Sequence, residues 1–133
     1  MYNEFEVLRN FHMLIQERKN EEAYNFITKY CKEYPSMKLF NNAGWFLMRI
    51  GERQENGLMK KNYHKAIEFL ITAIKILETS HYPFSNLGEA CIQLRDYGTA
   101  KHILEKSVQI EHSIVNQNNL AYVLFQSKEY KEA

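Results

Sequence analysis

The chain has 133 residues, enough for one ordinary domain. Hydrophobic residues at 45% and charged residues at 25% suit a soluble globular chain and exclude a disordered one. A formal net charge of +1 provides no global basic field to favour nucleic acid, and no acidic field either.

The first ten residues, MYNEFEVLRN, carry two glutamates and no long apolar run, so they do not form a secretory signal. Helical periodicity predicts a first helix near 3–18 and a second near 20–33. In the second, Ala23, Phe26, Ile27, Tyr30 and Cys31 fall on one face, and Pro35 follows its end. A third helix near 37–51 places Ala43, Phe46, Leu47 and Ile50 on one stripe. Residues 52–61, ERQENGLMKK, read as a loop. A fourth helix, near 61–77, repeats the second helix's spacing with Ala66, Phe69, Leu70, Ala73 and Ile74. Its apolar run 69–77 is broken by Thr72 and Lys75 and is too short to span a bilayer. A fifth helix near 82–94 carries Leu87, Ala90, Cys91 and Leu94. A sixth near 97–110 carries Ala100, Ile103, Leu104, Ser107 and Val108. A seventh is predicted near 115–127, and an eighth begins near Glu129. Two prolines and five glycines suit helices joined by short loops and are few for an all-β chain.

The chain repeats itself. Asn86, Leu87, Gly88, Tyr97 and Ala100 recur 33 residues later as Asn119, Leu120, Ala121, Tyr130 and Ala133. Tyr63, Ala66, Leu70 and Ile76 recur 34 residues later as Tyr97, Ala100, Leu104 and Ile110. These periods and residues resemble the tetratricopeptide repeat family, whose pattern is Asn-Leu-Gly in a first helix, a turn, and an Ala in a second. The best copy runs from about 81 to 113. The resemblance implies an all-α, right-handed solenoid of antiparallel helix hairpins filling 1–133 as a single domain. The hairpins fall near 3–33, 37–77 with an insertion near 52–61, and 81–113, with an incomplete repeat over 114–133. It also implies that Gly88 and Ala100 lie where two helices cross closely. Arg9, Asn10 and Phe11 do not reproduce the pattern, so the first hairpin can serve as a cap.

The residues point to no reaction. There is no phosphate loop, no nucleophile elbow and no His-Glu-x-x-His, and the five histidines show no helical i, i+4 pairing. We therefore expect no catalysis, no cofactor and no metal. Cys31 and Cys91 sit at apolar helix positions, where cysteine acts as a small hydrophobe, and a disulfide-free cytoplasmic protein is expected.

Three first helices place an asparagine two residues before the small crossing residue: Asn42 before Gly44, Asn86 before Gly88, Asn119 before Ala121. In family members that bind extended peptides, asparagines here often form a ladder on the concave face. A carboxamide offers both a donor and an acceptor, so it can hold a peptide unit without reading its side chain. The alternative is that these asparagines cap or bridge neighbouring helices. One turn beyond lie Trp45, Glu89 and Tyr122, and two turns beyond lie Arg49, Gln93 and Gln126. Trp, Tyr and Arg are the residue types that dominate binding hot spots. Val115 and Asn119 stand where chaperone-tail binders of the family carry a basic clamp, so that subtype is not expected. The expected partner is a protein or extended peptide, with neither nucleic acid nor membrane. The competing readings are a regulatory peptide-sensing domain of a larger protein and a structural self-association module. The face of Leu120, Val123 and Leu124 lacks a covering helix. Either the chain is a fragment of a longer repeat protein, or a homodimer covers this C-terminal helix.

Overall fold

The computed structural model describes residues 1–53 and 56–132, and among them the chain forms seven helices and no strand. They are α1 (Glu4–Gln16), α2 (Asn20–Glu33), α3 (Met37–Gly51), α4 (Asn56–Ile76), α5 (Tyr82–Gln93), α6 (Tyr97–Ile110) and α7 (Ile114–Glu132). Local chemistry sets several of their starts. The Asn3 side chain accepts from the Glu6 N–H at 3.1 Å, Ser36 Oγ accepts from Leu39 N–H at 3.2 Å, and Asp96 accepts from Thr99 N–H at 3.3 Å. Pro83 sits in the first turn of α5, where its missing N–H leaves no bond unmade. The Ser36 hydroxyl also donates to Glu4, tying the start of α3 to the start of α1.

α1 and α5 end alike. Arg18 N–H donates to Ile15 C=O and Lys19 N–H to Leu14 C=O. Arg95 N–H donates to Ile92 C=O and Asp96 N–H to Cys91 C=O. This paired cap needs a left-handed residue just past the helix, and Arg18 (φ 60°) and Arg95 (φ 62°) occupy that place, usually taken by glycine.

Each helix packs on the next, and α3 also meets α5 and α5 meets α7. Phe11 of α1 meets Phe46 of α3 edge-on, with ring centroids 5.3 Å apart. The odd-numbered first helices thus form a continuous row. Leu70 and Leu104, both fully buried, lie over glycines of the helix before: a Cβ on Gly44 would stand 2.7 Å from Leu70 Cγ, and one on Gly88 2.5 Å from Leu104 Cδ2. No such carbon fits, which is why the hairpins can close.

Two elements differ from expectation. The residues near 52–61 are not a loop throughout. From 56 onward they are helical, so α4 begins five residues before the expected start near 61 and carries helical residues 56–62 ahead of Tyr63. Seven residues make about two turns, so α4 extends about 10 Å beyond Tyr63. Gln54 and Glu55 lie outside the described residues. At the other end there is no turn near 127–129: α7 runs unbroken to Glu132, and no separate eighth helix begins at Glu129. Lys, Glu and Tyr at 128–132 carry no helix-stopping residue, so the backbone ladder propagates.

Candidate functional site

The first helices place the nine expected site residues in two groups and a remainder. Trp45 and Arg49 of α3 and Glu89 of α5 come together. Arg49 Nη2 lies 2.9 Å from Glu89 Oε2, Arg49 Nη1 lies 3.0 Å from Glu52 Oε1, and the guanidinium carbon stands 5.9 Å from the Trp45 ring centroid. Trp45 is half-buried and meets His12 of α1 edge-on, with centroids 5.8 Å apart. This group rivets α3 to α5, and Trp45 has a packing role besides any contact with a ligand. The two pairs are partly exposed, so each is worth ~0–1 kcal/mol.

Gln93 of α5 and Tyr122 and Gln126 of α7 form the second group. They line a cleft of about 790 Å³ that also takes in Met59 and Lys60 of α4 and Arg95 just past α5. The α4 overhang supplies one wall. Sequence reasoning missed Lys60 and Arg95, because the register that opposes them depends on where α4 begins. Trp45 and Arg49 line a different cleft, of about 550 Å³, together with Arg18 and Arg53.

The asparagines are not equivalent. Asn42 donates its amide to Lys38 C=O of its own helix at 2.8 Å. Asn86 donates to Asn41 Oδ1 of α3 at 2.9 Å, bridging neighbouring helices and leaving its own carbonyl as acceptor. Asn41 was not singled out in the sequence, since its partner lies 45 residues away. Asn119 makes no hydrogen bond among the described residues. All three are half-buried.

A second polar cluster ties α7 down. Asn116, fully buried, donates to Glu111 C=O at 2.9 Å and to His81 Nδ1 at 3.2 Å, and accepts from the Ser85 hydroxyl. The Ser107 hydroxyl lies 2.6 Å from that of Ser85. Asn116 Nδ2 has only protons to give, so His81 Nδ1 is the acceptor in this pair.

No group of three His, Cys, Asp or Glu residues is disposed to hold a metal ion among the described residues. Cys31 and Cys91 are free and buried. Burial pushes their thiols up to about 12 and about 11, so neither is a thiolate nucleophile at neutral pH. No helix among the described residues is long and apolar enough to cross a membrane.

Helix pairs stacked with their first helices in a row and small residues at the crossings define a helical-repeat solenoid. The tetratricopeptide repeat profile matches residues 84–112, the hairpin of α5 and α6, and the whole chain has the fold of tetratricopeptide domains. The Sgt2 TPR domain from Aspergillus fumigatus superposes with a TM-score of 0.80 at 17% identity, covering 96% of this chain and 81% of that one. The first TPR of Spaghetti (RPAP3), bound to the HSP90 peptide SRMEEVD, gives 0.79 at 17%, covering 93% and 92%. The second TPR domain of human RPAP3, in complex with the HSP70 peptide SGPTIEEVD, gives 0.74 at 18%, covering 88% and 91%. At these identities the likeness is one of fold. No curated protein sequence matches this chain.

Proposed function

We propose that this chain is a non-catalytic cytoplasmic scaffold that holds an extended segment of another protein along the concave row of α1, α3, α5 and α7. The observation that carries the reading is the register of Asn42, Asn86 and Asn119, half-buried on three consecutive first helices, two of which also carry Gln93, Tyr122 and Gln126. Asn86 retains a carbonyl and Asn119 a whole carboxamide for a peptide backbone. Proteins of the same fold bound to peptides support the reading.

Asn119 is the cleaner test, because it has no partner to lose. A peptide pulled down with the chain should bind Asn119→Ala about three- to a hundred-fold more weakly, for one or two hydrogen bonds of ~0.5–1.5 kcal/mol each. The melting temperature should hold. Asn86→Ala should lower both, since it also removes the bond to Asn41. Unchanged affinity in both variants would remove the ladder.

A second reading, self-association, rests on α7. Leu120 and Val123, expected to lie uncovered with Leu124, instead pack into the core, while Ile114, Val115, Leu124 and Phe125 of this helix are exposed. We take the occupant of that face to be a second copy of the chain. Sedimentation across a concentration series checks it, and a monomer throughout would remove it.

A further inference from the structure

The cleft between the α4 overhang, the end of α5 and α7 has a chemistry of its own. Its described lining contains two cations, Lys60 and Arg95, and no carboxylate. Both cations are exposed, and neither makes an ion pair or side-chain hydrogen bond among the described residues. Elsewhere three cations have counter-charges: Arg49 has Glu52 and Glu89, Lys19 has Glu17, and Lys101 has Glu105. The second cleft holds arginines too, but Glu52 lines it with them. Around Lys60 and Arg95 stand the carboxamides of Gln93 and Gln126 and the phenol of Tyr122, over an apolar floor of Ile92 and Leu94.

The start of α4 and the end of α5 place the two cations. Lys60 stands on the helical stretch that precedes Tyr63, since α4 begins at 56. Arg95 is held at φ 62°, where a side chain costs about 1 kcal/mol that glycine would not. The same conformation at Arg18 caps α1, so at Arg95 it belongs to the helix end and fixes where the side chain leaves the backbone.

We propose that this cleft receives an acidic side chain of the bound peptide, set beside an apolar one, with Lys60 and Arg95 as its cationic contacts and Ile92 and Leu94 beneath the apolar neighbour. The inference rests on the peptide-binding reading and adds a specificity to it. The backbone contacts of the asparagines are indifferent to sequence, whereas this cleft selects charge.

The test uses fluorescently labelled nonapeptide pools with acetylated and amidated ends, each carrying a Glu-Leu pair at a varied position, and matched pools with Gln-Leu. Anisotropy at low salt should show the Glu pool binding about two- to fivefold more tightly, the gain of an exposed ion pair, with the difference shrinking as salt screens it. Lys60→Gln and Arg95→Gly should each bring the Glu pool down toward the Gln pool. Arg95→Gly should at the same time melt higher than the parent, so a loss of affinity there cannot be a loss of fold. Equal binding of the two pools overturns the acidic site and leaves the groove standing. Binding of the Gln pool only when its C-terminus is a free carboxylate also overturns it, because the anion would then be the chain end. No binding by any pool removes the groove reading, and this inference with it.

Discussion

Two glycines set how closely the hairpins close. At Gly88 any side chain meets Leu104, which is fully buried and has no free space to yield. Gly88→Ala gains up to ~1 kcal/mol of helix propensity and loses ~1–3 kcal/mol to overpacking. We expect a net loss of about 1–2 kcal/mol in denaturant unfolding. Gly98, in the first turn of α6, has open space where its Cβ would go. Gly98→Ala should therefore be neutral or slightly stabilising, and a matching loss there would contradict the crossing argument. The first hairpin departs from the repeat: Phe11 stands where the sequence pattern has glycine, and its ring meets Phe46 of α3 edge-on.

Among the elements, α7 depends most on a polar anchor. It is fastened by Asn116, whose amide satisfies Glu111 C=O and His81 while its carbonyl takes the Ser85 proton. Asn116→Ala removes three hydrogen bonds of ~0.5–1.5 kcal/mol each and should cost about 1–3 kcal/mol, read as a lower melting temperature with α7 amides losing exchange protection first. Full retention of protection in α7 would show that Val123 and its apolar neighbours suffice. The helices with clear signals were legible in sequence. α3 and α6 start at 37 and 97, where the periodicity put them, and Leu70 and Leu104 announce the core by their spacing. The start of α4 was not legible, because 56–62 lacks an apolar stripe and resembles a polar loop. Nor was the run of α7 past 128. Turns in this chain place arginine where glycine would flag them, so Lys128 could equally have marked a turn. The candidate site was half legible. The asparagine register is written in the repeat, but the Asn41–Asn86 bond joins residues 45 apart and appears only once α3 and α5 are packed, and the Lys60–Arg95 cleft only once the start of α4 is placed.

For the molecule as a whole, the buried residues fall into two clusters, not one. Val7, Phe11, Ile27, Leu39 and Phe46 belong to the first, and Leu47, Met48, Leu70, Leu104 and Val123 to the second. Tyr24 and Phe69 pack against both. α3 contributes Phe46 to one and Leu47 to the other, so it is the common wall of two cores. In a quasi-one-dimensional stack, stability is a sum of units and their junctions. Losing α1 and α2 strips one side of α3, and losing α6 and α7 leaves the other side in place. The chain can therefore open from either flank while α3 stays folded, and native-state hydrogen exchange should find the slowest amides in α3, with protection falling toward α1 and α7. Uniform protection across all seven helices would show a single cooperative block. A gradient would mean that a partner lying along the whole row welds two separately opening units into one, so that binding registers as a gain in cooperativity before any change of shape.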